Sequence, residues 1–143
     1  MELETTWLPV KGLELSAALS VMQAEYDDFD LGTVKLDGKD MEGAPDHSLL
    51  FSVSYHHPMG LYGRTDIRHV GNVHYYDSTA KVLQKADAYT LANARLGWLY
   101  ENWDIYAFVH NLTDEKYINA FMSGARAGFG DPRTIGVGLS YSF

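Results

Sequence analysis

Thr134-Ile135-Gly136-Val137-Gly138-Leu139-Ser140-Tyr141-Ser142-Phe143 is the stretch that decides how this chain folds. Ile135, Val137, Leu139, Tyr141 and Phe143 occupy alternate positions, with only small or polar residues between them. Successive side chains of a strand point to opposite faces, so this is a strand with one wholly apolar side. The same period runs through Leu13–Val21, where Leu13, Leu15, Ala17, Leu19 and Val21 oppose Glu14, Ser16, Ala18 and Ser20. It recurs in Ser48–His56, with Leu49, Phe51, Val53 and Tyr55 on one side, and in Thr90–Tyr100, with Ala92, Ala94, Leu96 and Trp98. Leu61–Tyr76 reads as one long strand, with Arg64, Asp66 and Arg68 on its polar side. Glu2–Leu8 makes a shorter strand, and Asp104–Leu112 is apolar on both sides, which leaves its orientation open. The sequence thus predicts an all-β chain of about seven strands.

The connections alternate in length. Pro9–Gly12, His57–Gly60 and Glu101–Trp103 are tight turns, whereas Asp30–His47, Asp77–Ala88 and Thr113–Arg133 are long and rich in Gly, Asp and Lys. Short turns on one rim and long loops on the other are the pattern of an antiparallel up-and-down barrel in an outer membrane. The strands are also long enough to cross a bilayer, which takes about 9–11 tilted residues. A soluble barrel or sandwich would alternate too, with its apolar side inward. Two features favour the membrane. Ser16, Ala18, Ser52, Ser54, Gly136, Gly138, Ser140 and Ser142 suit a wide polar interior, and Trp7, Tyr55, Tyr62, Trp98, Tyr100, Trp103, Tyr141 and Phe143 cluster near strand ends as an interfacial girdle does.

Composition excludes several classes. Eleven Lys and Arg against 19 Asp and Glu give a net charge of −8, which carries no electrostatic footprint for nucleic acid. There is no cysteine for disulfide or thiolate chemistry. No apolar run approaches the roughly 18 residues of a membrane helix. Met1 is followed by Glu2 and Glu4 rather than by a basic stretch and an apolar core, so an export signal is expected to have belonged to a longer precursor.

No chemistry-bearing constellation stands out, and the chain is not expected to be an enzyme or to hold a cofactor or metal. His56 and His57 are adjacent and His69 and His74 are five apart, so each pair splits between opposite faces. Asp37–Asp40 lacks calcium-loop spacing, Gly124–Gly130 matches no phosphate-binding loop, and Asn111-Leu112-Thr113 matches a glycosylation sequon only by coincidence. Arg64, Asp66, Arg68 and Arg95 face the interior on the strand parity, where a charge needs a partner. Arg64 and Arg68 flank Asp66 and are expected to pair with it. The alternatives are a solvated lumen or contact with an interior domain, and, as the functional reading, contact with a ligand or gating of that domain.

Four segments in order carry a family resemblance. Asn111-Leu112-Thr113-Asp114-Glu115-Lys116-Tyr117 resembles the "NLTDxxY" element of TonB-dependent receptors, and the stretch from Gly130-Asp131-Pro132-Arg133 to Tyr141-Ser142-Phe143 resembles their closing segment. Tyr89-Thr90-Leu91-Ala92-Asn93-Ala94-Arg95-Leu96-Gly97 and Gly43-Ala44-Pro45-Asp46-His47 are similar to two further elements.

The resemblance implies residues 1–143 to be the C-terminal part of a barrel of about 22 strands, with the plug and the TonB-contacting segment elsewhere. It implies an outer-membrane importer of a scarce nutrient, most often an iron–siderophore complex, driven by the TonB complex through the plug. Tyr26, Phe29, Tyr75, Tyr76, Tyr117, Phe121 and Phe129 lie in or beside the long loops and are the candidate ligand contacts. Arg64, Asp66, Arg68 and Arg95 are the candidate lumen or plug contacts, and Phe143 with Tyr141 resembles the signal read by the barrel assembly machinery. A small self-contained outer-membrane barrel and a soluble ligand-binding barrel are the rival readings.

Overall fold

The computed structural model describes residues 1–27, 29, 35–77, 82–122 and 126–143, with Phe121 and Met122 described by backbone alone. Eleven strands follow one another: β1 (Glu2–Val10), β2 (Leu13–Val21), β3 (His47–His56), β4 (Leu61–Val70), β5 (Val73–Asp77), β6 (Val82–Ala86), β7 (Tyr89–Tyr100), β8 (Trp103–His110), β9 (Ile118–Met122), β10 (Arg126–Phe129) and β11 (Thr134–Tyr141). Seven of them form one antiparallel sheet in the order β1-β2-β3-β4-β7-β8-β11, an up-and-down wall. The other four pair as two hairpins, β5–β6 and β9–β10.

The seven wall strands are those expected from period two. Leu61–Tyr76 is not one strand, however. The wall strand stops at Val70, the Gly71 amide donates to the His47 carbonyl at 2.8 Å, and the chain re-forms as β5 outside the wall. The loops expected at Asp77–Ala88 and Thr113–Arg133 likewise contain the strands β6, β9 and β10.

Register decides which side chains share a face. Trp7, Leu15, Val53, Thr65, Ala94, Val109 and Ile135 are partnered in turn across all seven wall strands and form one row on the apolar face. This settles β8: Ile105, Ala107 and Val109 join the apolar face, while Asp104, Tyr106, Phe108 and His110 join the polar one. The apolar face is bare. Ile135, Val137 and Leu139 are 74%, 85% and 64% exposed, and none of the large side chains described is fully buried. The chain exposes 10062 Å², against about 7,400 Å² for a folded water-soluble monomer of this mass. A soluble barrel with its apolar side inward is incompatible with that surface.

The polar face carries a second surprise. Gly138, Tyr106, Gly97, Tyr62 and His56 are partnered in turn across β11, β8, β7, β4 and β3. A Cβ on Gly138 would lie 2.2 Å from Cζ of Tyr106, and one on Gly97 would lie 2.3 Å from Cζ of Tyr62. Gly136 stands in the same relation to Phe108. These glycines therefore do not widen the interior, as their size suggested; they let aromatic rings lie flat on the wall. Gly138→Val is expected to lift Tyr106 and cost about 1–3 kcal/mol, read as a lower unfolding midpoint. Ser140→Ala on the same face is the neutral control, and equal midpoints for the two variants would refute the ring-on-glycine account.

Candidate functional site

Tyr62 departs from the girdle expected for it. It projects from the polar face, where its hydroxyl donates to Asp104 at 2.6 Å and accepts from Nε of Arg95 at 3.0 Å. Arg95 pairs with Asp104 at 2.8 Å and lies over the Tyr106 ring, 3.5 Å from its centroid. Sequence parity placed Arg95 and Tyr62 on this face, although Tyr62 was also counted in the girdle, and it left Asp104 and Tyr106 unassigned because β8 could not be oriented. A second cluster joins Arg64 to Asp66 at 2.8 Å, with Ser52 donating to the same carboxylate at 2.5 Å. Arg68 was expected to share Asp66 with Arg64 and does not: among the described residues it forms no ion pair. Two of the three interior arginines are thus neutralised within the wall, which removes the cost of an unpaired charge.

The remaining residues of the girdle do line the rim of the short turns. Trp98 stacks obliquely on Tyr100 at 5.3 Å, Trp103 on Tyr141 at 4.7 Å, and Phe143 meets Tyr141 edge-on at 5.4 Å. Nε1 of Trp98 donates to the Met59 carbonyl at 3.0 Å, so its polar end faces the turn and its ring the apolar side.

The opposite rim gathers the three long connections. The segment between β2 and β3 is stitched to β5: Gly43 donates to the His74 carbonyl at 2.9 Å, Pro45 bridges Val73, Asp40 pairs with His74 at 3.1 Å, and Glu42 accepts from the Tyr76 amide at 3.0 Å. The two hairpins touch through β5 and β9. The third connection is closed at its foot by Asn111, which is 4% exposed. Its side chain accepts from the Glu115 amide at 2.8 Å and donates to the carbonyls of Glu115 and Asp131 at 2.9 and 3.0 Å. Asp114 accepts from the Arg133 amide at 2.9 Å. The Asn111–Asp114 and Asp131–Arg133 segments are thus two halves of one clasp, not a modification site.

Of the candidate ligand contacts, Tyr26 and Phe29 stack at 4.9 Å in the first connection, and Phe129 ends β10 well exposed. Tyr75 and Tyr76 are neighbours on β5 and point to its opposite sides; burial pushes the Tyr75 hydroxyl up from its ordinary 10.0. Tyr117 stacks on Tyr89 at 4.3 Å, a residue that the sequence reading left among the strand motifs. The side chain of Phe121 lies outside the described residues. Among those residues no group of three or more His, Asp or Glu side chains is placed to hold a metal ion. His47 and His69 stack on each other instead, at 5.2 Å.

The family model of the TonB dependent receptor-like β-barrel matches residues 2–112. This chain belongs to that family. FyuA, the ferric yersiniabactin uptake receptor of Yersinia pestis, superposes with a TM-score of 0.82 at 25% identity, over 99% of this chain and 23% of its own. PiuA, a siderophore receptor of Acinetobacter baumannii, gives 0.78 at 16% identity, over 98% and 21%. Fiu, the ferric-catecholate import receptor of Escherichia coli K12, gives 0.71 at 20% identity, over 96% and 19%. The chain therefore spans less than a quarter of the length of these receptors, and its sheet is a seven-stranded part of a TonB-dependent receptor barrel. Such receptors are transporters rather than enzymes.

Proposed function

We propose that residues 1–143 form the C-terminal wall of an outer-membrane receptor that imports an iron–siderophore complex, using energy passed from the TonB complex through a plug domain. The bare apolar face meets the lipid bilayer, and the face bearing Arg64, Asp66, Arg68 and Arg95 looks into the lumen toward the plug. The long connections form the extracellular rim, where Tyr26, Phe29, Tyr75, Tyr76, Tyr117, Phe121 and Phe129 meet the ligand. Phe143 and Tyr141 present the final strand to the barrel assembly machinery, since an open strand edge beside an alternating apolar face suits strand addition.

One observation carries this reading: aromatic side chains from separate connections gather on the rim opposite the short turns, and Tyr117 stacks on Tyr89 there. Receptors for three ferric ligands or siderophores share the fold. Replacing residues 117–129 by a short Gly-Ser link keeps the clasp at Asn111, Asp114 and Arg133 but removes the aromatic tip. In cells carrying the full-length receptor this is expected to lower uptake of siderophore-bound radioactive iron by about tenfold or more, the loss that follows from removing a ring contact and its ordering. Undiminished uptake by a correctly assembled variant would refute the assignment of this loop to the ligand.

A further inference from the structure

Three arginines stand on the polar face, and two are committed. Asp66 holds Arg64 and Asp104 holds Arg95. Arg68 has no anionic partner among the described residues. It sits opposite Leu91 toward the long-loop end of β4, two positions before Val70, whose partner is Tyr89. By this register the Tyr89 side chain stands on the same face as Arg68, one strand over and two residues nearer the loops. The Tyr117 ring stacks on that of Tyr89 with centroids 4.3 Å apart. One cation and two phenols from β4, β7 and the last connection therefore share one end of the polar face, where the wall meets the loops. Beside it runs a groove of ≈ 560 Å³, with Arg68, Asp66 and Asn93 on one side and Glu2 and Glu4 on the other.

We infer that Arg68, Tyr89 and Tyr117 form a subsite for an anionic ring-bearing arm of the ligand, a phenolate or an aromatic carboxylate. This rests on the importer reading above and narrows its ligand class. A guanidinium offers a planar fork of donors that suits the oxygens of such an arm, and it binds them in a charge-assisted way. The stacked tyrosines offer a ring face beside it. Glu2 and Glu4 across the groove repel further negative charge, so the fit is to a chelate of low negative charge rather than to a polyanion. A ring-free trihydroxamate chelate gains nothing from these groups.

The full-length receptor, purified in detergent, is titrated by fluorescence quenching with three probes: the ferric complex of the bis-phenolate diacetate chelator HBED, salicylate without iron, and ferrioxamine. The HBED complex is expected to bind the unaltered receptor. Arg68→Gln is expected to weaken it about tenfold or more, and Arg68→Lys less, since one charge remains without the fork. Ferrioxamine affinity is expected to be the same in all three proteins. Salicylate binding that is lost in Arg68→Gln would assign the same subsite to a free aromatic acid. Heat-modifiable gel migration verifies that each variant is a folded barrel. Equal affinity of Arg68→Gln and unaltered receptor for the HBED complex overturns the subsite, and so does failure of the unaltered receptor to bind both that complex and salicylate. Iron uptake that persists from ferrioxamine in that case leaves the importer reading standing, whereas absence of uptake from every chelate overturns the importer reading instead.

Discussion

Arginine at Ala17 is expected to destabilise the full-length receptor by about 2–4 kcal/mol, while arginine one residue later, at Ala18, is expected to cost little. The two positions are neighbours in the middle of β2 and differ only in the face they serve. Ala17 lies in a row with Thr5, Phe51, Ile67 and Ala92, which is apolar apart from one threonine. On the proposed lipid-facing orientation of this row, a guanidinium there enters the hydrocarbon or bends toward a distant interface. Ala18 is partnered by Glu4 on β1 and Leu50 on β3, and it lines the polar groove. An arginine at that position meets water and a carboxylate. Denaturant unfolding in lipid vesicles measures both variants. If Ala18→Arg proved as damaging as Ala17→Arg, the assignment of faces would be wrong, and with it the orientation of every strand in the wall.

How far that assignment was legible in the sequence depended on length and on the contrast between the two faces. β2, β3, β7 and β11 each run eight residues or more, so alternation had room to declare itself. β8 concealed its orientation because Tyr106 and Phe108 are as apolar in composition as Ile105 and Val109. Only the pairing of Val137 with Ala107, and of Gly138 with Tyr106, separates the two sides. The extra residues of Leu61–Tyr76 kept the right alternation through a break at Gly71 and Asn72, so periodicity could not reveal that β4 had ended. The structural sign is local: a Cβ on Gly71 would lie 1.9 Å from Oδ1 of Asp46, so a side chain there would have to displace that carboxylate.

The candidate site was legible by residue type and not by partnership. Parity put Arg64, Asp66, Arg68 and Arg95 on the polar face, and they are there. Which arginine lacked an acid could not be read, because Asp104 sits on the strand whose orientation was open. Tyr89 reaches Tyr117 across about 28 residues of sequence, and the two halves of the clasp stand 19 and 20 residues apart. Contacts of this kind depend on how the loops close, which no local periodicity encodes.

That closure yields the other large effect. Asn111→Ala is expected to cost the last connection about 2–4 kcal/mol. Part of the loss is hydrogen bonding, since alanine removes one acceptor and two donors that join Glu115 to Asp131. Part is backbone, since Asn111 has a φ of 51°, which asparagine tolerates and alanine resists. The hydrogen bond that the Asn111 backbone amide donates to Oδ1 of Asn93 at 2.9 Å survives any such change and keeps the foot attached to β7. Asn111→Gly is therefore expected to cost less than alanine by about 1 kcal/mol. Asn111→Asp keeps the acceptor for Glu115 but turns a negative oxygen toward two carbonyls, so it is expected to do no better than alanine. Because the clasp sits at the edge of the wall, the damage is expected as local opening: faster amide exchange over residues 111–133, with the global unfolding midpoint shifted far less. The same opening releases Tyr117 from Tyr89 and is expected to weaken the ligand as well. Unchanged exchange in Asn111→Ala would mean that the wall strands, and not this side chain, hold the connection closed.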